Sequence, residues 1–348
     1  MNVENFPDRI IKVNDIEYLY FGGTSYLGLA SERKFQKLIS NNIKKWGTFC
    51  GSSRRSNVKL SVYKKAEKEF SLFIGSEAAI TVSSGMLAGR LTVDYLSKNI
   101  KNLYHYPKSH PAIICTNSKP LFIHGKLDDA LLNNIVEEVV ITADAILSTE
   151  VTTTSFDFLE LISPTKKITL VIDESHSLGI IGKQGCGIFS SIQGEKKFYR
   201  KILVSSLGKG LGLSGGIIAS DKKFIKEIKK TSFFITASGA NPAYIETFSQ
   251  AYKLYEHKRE KLKQNLEFIH KNLIQKKGLL FNINYPVIYC KNDRLFNVLL
   301  EKNIVITSFK YPTSKNKINR IVITANHTKK DLNKLIRILN QNLSLPFN

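Results

Sequence analysis

The sequence of 348 residues lacks long apolar segments, patterned cysteines and internal repeats. No stretch approaches the ~18–20 consecutive apolar residues that span a bilayer. The start, MNVENFPDRII, lacks the basic and then apolar order of a secretory signal. There is also no low-complexity linker and no Pro/Ser-rich break. These absences argue against export and membrane insertion.

The few cysteines show neither the CxxC or Cys/His spacing of a zinc site nor the pattern of a disulfide framework. We therefore predict no metal site and expect a reduced, cytoplasmic compartment. One cysteine, in KQGCGIF, has no apparent neighbouring base, so a packing or loop role is expected for it. The four cysteines are Cys50, Cys115, Cys186 and Cys290.

Acidic residues are also few, since 29 Asp and Glu stand against 51 Lys and Arg, and the formal net charge is +22. Nucleic-acid binders concentrate their cations on one face, whereas the lysines here are dispersed. The densest stretches, 222–230 and 257–263, also carry acids and are typical of solvated helix faces. We therefore expect no nucleic-acid partner, but a positive field that attracts anionic substrates.

Amphipathic helical stretches such as 62–74 alternate with short apolar runs in the first part of the chain. The runs are rich in Ile, Val and Leu and bounded by turn signals. This pattern predicts an α/β fold with a large, mostly parallel sheet and helices on both faces. The runs are AAITVSS (78–84), AIICT (112–116), DAILSTE (144–150), TLVIDESH (169–176) and KILVSS (201–206).

After about residue 240 the pattern changes, and a smaller α+β domain is predicted. The first ~45 residues are too few for a core of their own and are expected to join the small domain or wrap the large one. We predict an N-terminal segment over 1–45, a large domain over 46–242 and a small domain over 243–348. The candidates in the small domain are a helical run at 243–278, strands at 286–291 and 318–325, and helices at 294–303 and 331–343.

Polar residues close the apolar run TLVIDESH (169–176), where the predicted strand ends. Ligands of α/β sheets bind at the carboxyl ends of strands, so Asp173 and His176 are candidates for a binding site. A helix cap is the ordinary alternative for Asp173. Glu174 is better explained as a neighbouring surface or capping acid.

Lys209 follows the next apolar run and stands among glycines in SSLGKGLGLSGG. Glycine permits tight bends and a close approach of the backbone. The motif is not a phosphate-binding P-loop, because Gly210 follows the lysine where Ser or Thr is required. A lysine held in a partly desolvated pocket is a candidate imine-forming nucleophile.

A strand-end aspartate followed 36 positions later by such a lysine suggests pyridoxal phosphate (PLP). In that chemistry the lysine forms a Schiff base with the aldehyde, and an aspartate pairs with the pyridinium nitrogen, which keeps the ring an electron sink. The phosphate needs amides at a helix start and a hydroxyl. SSGMLAG (83–89) offers the amides, and Ser206 offers the hydroxyl.

Six motifs together resemble the α-oxoamine synthases, a family of PLP-dependent acyltransferases, over nearly the whole chain. The resemblance implies a fold-type-I enzyme that works as a homodimer with its sites at the subunit interface. DESHSLGIIGKQGCG and SSLGKGLGLSGG are the most specific motifs. The others are YLYFGGTSYLGLA, GTFCGSSRR, SSGMLAG and INRIVITANHT.

The resemblance also implies roles for single residues. Lys209 would carry the cofactor and remove the α-proton of the substrate, and Asp173 would pair with the pyridine nitrogen. His176 would contact the phenolic oxygen of the ring. His110, which alone would be taken for a surface histidine, would stack on the ring near the substrate carboxylate. Other implied contacts are Gly85, Met86 and Ser206 with the phosphate, Ser148 with the ring, and Thr236 with the phosphate of the partner subunit.

On the substrate side, the resemblance implies that Arg320 clamps the amino-acid carboxylate. By itself, an arginine on an alternating strand would be an exposed edge charge. Thr24 stands where the family usually has an asparagine that helps to hold the substrate. The chain also departs from the family pattern at Val58, Lys59, Gly89 and Pro111, and after Ser148 at Thr149, Glu150 and Val151.

The implied reaction joins a small amino acid to an acyl-CoA or acyl-carrier-protein thioester with loss of carbon dioxide. The short chain and the motif spacings favour alanine and a medium-chain acyl group. Glycine with acetyl-CoA and serine with a long chain stay open. So do an aminotransferase or lyase of the same fold, which GKGLG and DESHS disfavour, and an inactive relative, which the intact Lys209, Asp173 and His176 disfavour.

Overall fold

The computed structural model describes residues 1–192, 198–274, 278–290, 293–309 and 317–342. These residues form two compact units. The large unit comprises Lys37–Ser148 and Thr153–Tyr252. The small unit comprises Met1–Gln36, Thr149–Thr152 and the described part of Lys253–Asn348. The sequence-based boundaries after residues 45 and 242 stay a prediction.

The elements are numbered in chain order. The strands are β1 (Ile10–Val13), β2 (Ile16–Phe21), β3 (Ala78–Val82), β4 (Asn102–His105), β5 (Lys119–Pro120), β6 (Phe122–Ile123), β7 (Lys126–Leu127), β8 (Glu137–Asp144), β9 (Lys166–Asp173), β10 (Phe198–Ser206), β11 (Gly216–Ser220), β12 (Leu279–Phe281), β13 (Val287–Cys290), β14 (Ile304–Phe309) and β15 (Ile318–Val322). The helices are α1 (Arg33–Trp46), α2 (Ser61–Ile74), α3 (Gly85–Asn99), α4 (Lys222–Ile228), α5 (Ser232–Thr236), α6 (Pro242–Gln250), α7 (Tyr252–Asn272), α8 (Asp293–Glu301) and α9 (Lys329–Asn342).

The large unit is built on a seven-stranded sheet in the order β3-β11-β10-β9-β8-β4-β5. The strands from β10 to β5 are parallel to their neighbours, and only β11 runs antiparallel to the strands beside it. Four successive residues of β9, from Thr169 to Ile172, are at most 1% exposed. A strand buried on consecutive residues is covered on both faces of its sheet. The predicted large, mostly parallel sheet is therefore confirmed.

Helix α3 begins immediately after β3, at an edge of this sheet. The helix starts at Gly85 because Ser84 caps it, its Oγ accepting the N–H of Leu87 at 3.1 Å. Leu91 and Val93 of the helix pack in one hydrophobic cluster with residues of β3, β10 and β11. Burying a side chain of this size contributes about 1.5–3 kcal/mol. This packing fixes the N-terminus of α3 close to the ends of the strands.

Two of the predicted strands are wrong. Residues 112–116 form no strand, because Pro111 starts a short 3-10 turn over Pro111–Ile113 that the His110 side chain caps. The run 144–150 follows a strand instead of forming one, since β8 lies upstream and ends at Asp144. Ala145 and Ile146 are still buried, so the apolar character of the chain continues past the hydrogen-bonded ladder.

The small unit contains a six-stranded sheet in the order β1-β2-β14-β15-β13-β12. This sheet and the helices α8 and α9 confirm the predicted α+β character. The predicted helical run over 243–278 is divided at Ala251 into α6 and α7. Within it, 275–277 lie outside the described residues, as do Lys291 and Leu343 of two other predicted elements. Among the described residues, no helix combines the length and the apolar character needed to cross a membrane.

Candidate active site

Three parallel strands of the large unit end in polar residues at one edge of the sheet. They are β8, β9 and β10, which end at Asp144, Asp173 and Ser206. Asp144 and Asp173 are direct partners in the register of β8 and β9. Lys209 follows three residues after the end of β10. The strand ends therefore bring two carboxyl groups and a lysine to the same edge, where α/β sheets bind ligands.

Lys209 faces the histidine of the DESH motif. The distance from Lys209 Nζ to His176 Nε2 is 3.0 Å. The two loops that carry these side chains meet backbone to backbone, because a Cβ atom on Gly210 would lie 2.4 Å from the carbonyl oxygen of Leu178. Gly210, next to Lys209, is thus needed for the close approach that sets the lysine against His176.

Asp173 is 6% exposed, and its Oδ1 accepts the N–H of Ser175 at 2.8 Å. The Oγ of Ser175 in turn accepts the N–H of Ser206 at 2.8 Å. Asp173 therefore does cap the turn that follows its strand, which agrees with the capping role that was the alternative to a binding site. It does so at a buried position that is tied to the end of the neighbouring strand.

The start of α3 and the end of β10 form a narrow cradle. A Cβ atom on Gly85 would lie 2.6 Å from the Cβ of Ser206, so only glycine fits there. Ser206 Oγ accepts the N–H of Gly208 at 3.3 Å, while the side chain of Met86 is half exposed. A helix N-terminus beside a hydroxyl suits a phosphate group. Gly85, Met86 and Ser206 thus fit the phosphate of PLP.

His110 is held at the same edge by its own backbone. Its N–H donates to Asp144 Oδ2 at 2.8 Å, and its Nδ1 accepts the N–H of Ala112 at 3.2 Å. Helix α3 packs against this turn, because a Cβ atom on Gly89 would lie 2.7 Å from the carbonyl oxygen of Ala112. The departures from the family pattern at Gly89 and Pro111 therefore belong to one feature, which is a tight turn that presents His110.

The protonation state of His110 follows from this setting. Burial lowers the pKa of His110, Asp173 opposes the shift, and Lys209 adds to it. Since Nδ1 already accepts a hydrogen bond, the neutral ring carries its proton on Nε2. His110 can therefore donate one hydrogen bond to a ligand at neutral pH.

Glu174 is a capping acid, which was one of its two predicted roles, but it is fully buried and not at the surface. Its Oε1 accepts the N–H groups of Ile188 and Phe189 at 2.8 and 2.7 Å, and its Oε2 accepts a hydrogen bond from Ser177. Burial raises the pKa of Glu174 to about 7, although these hydrogen bonds oppose the shift. Glu174 caps the loop after the DESH motif from the inside, where a Cβ atom on Gly187 would collide with its carboxyl group.

Asp144 is the buried residue of this edge that the sequence analysis missed. It is 4% exposed, and burial together with the neighbouring Asp173 raises the pKa of Asp144 well above its usual value. The apolar run EEVVITAD, which ends in an aspartate like the run before Asp173, was the signal that could have identified it. Its last residue also opens the run DAILSTE (144–150), which the sequence predicts as a strand of its own.

Two other predicted contacts are Ser148 and Thr236. Ser148 is half-buried and lies four residues beyond the end of β8. Thr236 is exposed at the end of α5, where its Oγ1 donates to the carbonyl oxygen of Ser232 at 2.9 Å. Their roles at the ring and at the partner's phosphate stay predictions.

Arg320 and Thr24 belong to the small unit. Arg320 is 7% exposed on β15, which lies between β13 and β14, so the alternative of an exposed edge charge is wrong. Its Nη2 donates to the carbonyl oxygen of Gly23, which directly precedes Thr24, at 3.1 Å. Its Nε is buried and has no hydrogen-bond partner among the described residues. A buried guanidinium with an unmet donor suits an anionic ligand.

Comparisons with known proteins agree with this arrangement. The family model of aminotransferase class I and II matches residues 125–339, more than half of the chain. The chain belongs to this family. Its curated relatives include an 8-amino-7-oxononanoate synthase of Lysinibacillus sphaericus, 24% identical over 94% of this chain and 89% of the relative. A serine palmitoyltransferase of Sphingobacterium spiritivorum is also 24% identical, over 97% of this chain and 91% of the relative.

The fold of the family is also found in solved structures. The serine palmitoyltransferase of S. paucimobilis, solved with a bound PLP–myriocin aldimine, has a TM-score of 0.81 at 16% identity and covers 98% of this chain and 91% of its own. This likeness confirms the predicted fold type. The family model and the named relatives confirm the resemblance to the α-oxoamine synthases and the PLP cofactor. As a member of the family, the chain is a PLP-dependent enzyme. The names of its relatives, an 8-amino-7-oxononanoate synthase and a serine palmitoyltransferase, agree with the predicted acyltransferase class.

Proposed function

We propose that the protein condenses a small amino acid with an acyl thioester and releases carbon dioxide, in the manner of an 8-amino-7-oxononanoate synthase. The observation that carries this proposal is the pairing of Lys209 Nζ with His176 Nε2 at 3.0 Å, at the strand edge that also holds the buried Asp173. An amine, a charged partner for the ring and a phosphate cradle at one edge are what PLP chemistry requires.

PLP, when bound, supplies an electron sink that eases removal of the α-proton of the amino acid. Asp173, as the buried carboxylate, pairs with the ring nitrogen and keeps its proton in place. Lys209 accepts the α-proton at Nζ, and His176 orients that amine. His110 donates from Nε2 to the carboxylate or the developing oxyanion of the substrate. Charges and dipoles fixed in this way before the reaction stabilise the transition state.

The small unit supplies the residue proposed for the amino-acid carboxylate. Arg320 presents a buried Nε without a hydrogen-bond partner among the described residues, and a carboxylate would satisfy it. Thr24 is proposed to contact the substrate as well, because its neighbour Gly23 accepts a hydrogen bond from Arg320. A formal charge of +22 favours an anionic donor such as an acyl-CoA or acyl carrier protein.

A second substrate pair has an observation in its favour. A serine palmitoyltransferase matches the chain as well as an 8-amino-7-oxononanoate synthase does, at 24% identity. Serine with a long-chain thioester is therefore the main rival of alanine with a medium-chain thioester. Glycine with acetyl-CoA is the third member of the set.

The test is a matrix of alanine, serine and glycine against acyl-CoAs of graded chain length and terminal charge, scored by released thiol. Preference for alanine with a thioester that bears a distal carboxylate would support the proposal and a role in biotin synthesis. Preference for serine with a long chain, or for glycine with acetyl-CoA, would replace the proposed substrates but keep the reaction class. If no pair releases thiol while the cofactor is bound, the reaction class itself is contradicted.

A further inference from the structure

Asp144 is a buried carboxyl group to which the proposed reaction gives no role. It ends β8 directly opposite Asp173 on β9, and its Oδ2 accepts the main-chain N–H of His110 at 2.8 Å. The titratable groups that face it are Asp173 on β9, Lys209 in the loop after β10 and His110 in the turn after β4. Asp144 thus connects the strand that carries it to the turn that presents His110.

Two carboxylates on adjacent strand ends cannot both be ionised cheaply at a buried edge. Asp173 has to be the charged member, since its role is to pair with a cationic ring. Asp144 has a different task, which is to accept the main-chain N–H of His110. A neutral carboxyl group can also accept such a hydrogen bond, so this task does not require a charge. Burial and the charge of Asp173 also raise the pKa of Asp144, which agrees with this division.

We propose that Asp144 is a positioning residue which, as a neutral acid beside the ionised Asp173, accepts the His110 N–H and so holds the His110 ring in the cofactor site. The proposal rests on the proposed PLP chemistry for its catalytic consequence. Its two structural parts, the proton on Asp144 and the anchoring of His110, can be measured on the protein without cofactor.

Three variants separate the two parts. Asp144→Asn keeps a neutral oxygen acceptor and should retain cofactor affinity and kcat within about threefold. Asp144→Leu has the same branched shape and number of heavy atoms but no acceptor, and should weaken cofactor binding and lower kcat by tenfold or more. Asp157→Leu, the same change at an exposed carboxyl of the large unit, is the control and should change neither.

The anchoring of His110 is tested by a double-mutant cycle. If Asp144 acts through His110, the double variant Asp144→Leu/His110→Ala should be no slower than His110→Ala alone. Losses that multiply would overturn the positioning role, and so would an Asp144→Leu variant as active as the wild type. The proton signals of the His110 ring, followed by NMR in the apoprotein, should shift in Asp144→Leu and remain in Asp144→Asn, so the result does not depend on turnover.

The proton on Asp144 is tested by unfolding the apoprotein as a function of pH. A group with a raised pKa in the folded state keeps its proton there while the unfolded chain releases it, so the wild type should lose stability relative to Asp144→Asn as the pH rises above about 4. The unfolding constant of the wild type should grow about tenfold per pH unit relative to the variant until Asp144 ionises in the folded protein. Two results would contradict a neutral Asp144. One is that the unfolding free energies of the wild type and of Asp144→Asn change in parallel with pH. The other is an Asp144→Asn variant as inactive as Asp173→Asn.

If the wild type binds no PLP, the proposed function fails. The pH and NMR results then still decide whether Asp144 is protonated and whether it anchors His110.

Discussion

Each unit of this protein contains a histidine removed at least partly from solvent, and the two are used in opposite ways: His327 of the small unit is buried, and His176 of the large unit is half-buried. In the small unit, His327 Nδ1 accepts the N–H of Thr324 at 2.9 Å, and its Nε2 donates to the carbonyl oxygen of Tyr20 at 3.1 Å. Its ring stacks on Phe21 with centroids 4.0 Å apart. In the large unit, His176 is directed at the amine of Lys209. Both ring nitrogens of His327 are thus hydrogen-bonded to the backbone, whereas His176 faces the titratable side chain of Lys209.

The comparison shows how a structural site and a reactive site can be told apart from their hydrogen bonds. His327 joins β2 to the segment after β15, and burial lowers its pKa to about 4, so it stays neutral. At the strand edge of the large unit, the charges of Asp173 and Lys209 act on the pKa of both His110 and Asp144. Such a cluster opposes folding and is typical of sites kept for function.

The largest effect is expected for Lys209→Ala. Removing the amine should abolish exchange of the α-proton of alanine in deuterated water, which we expect to be easily measured in the wild type. An equivalent loss should not follow from Lys263→Ala, which changes an exposed lysine of α7. Exchange at the wild-type rate in Lys209→Ala would remove the lysine from the proposed role.

Asp173→Asn keeps the size of the side chain but removes the charge. The α-proton exchange should slow by about 10²–10⁴-fold, because the electron sink loses the partner of its ring nitrogen. Asp157→Asn makes the same chemical change at an exposed position and should be neutral. Near-normal exchange in Asp173→Asn would show that another group supplies the charge.

His327→Gln should affect stability and leave the chemistry intact. Because the folded-state pKa of His327 is lowered to about 4, its contribution is complete above the unfolded value of 6.5 and is lost as the pH falls from 6.5 to about 4. Over this window the wild type should lose about 3 kcal/mol of unfolding free energy through His327. His257→Gln, on an exposed face of α7, is the control. An unchanged pH dependence in His327→Gln would contradict the structural role.

The smallest effect is expected for Thr236→Val, which tests whether the cofactor site extends across a homodimer. Loss of one hydrogen bond to a charged phosphate should weaken PLP binding by about tenfold, and Thr236→Ser should restore it. In sedimentation at assay concentration, we expect the active species to be a dimer. A fully active monomer would contradict the shared site.

The sequence predicted the residues whose signals are local. Asp173 and Lys209 stand at the ends of apolar runs, and strand ends place them at one edge of the sheet. The end of the apolar run EEVVITAD marks Asp144 as a strand-end residue, but its pairing with Asp173 comes from the register of β8 and β9, which the run alone does not encode. The burial of Glu174 and Arg320 also depends on elements distant in sequence, namely the turn at Ile188 and the strands on either side of β15. Tertiary pairing decides these positions.

The central claim is that the strand edge around Lys209 carries the cofactor. The most direct test is reduction of the PLP-loaded protein with borohydride, followed by proteolysis and mapping of the labelled peptide. The account predicts a yellow protein and a single label on Lys209, within SSLGKGLGLSGG. A label on another lysine, or no label on a protein that has bound PLP, would contradict it.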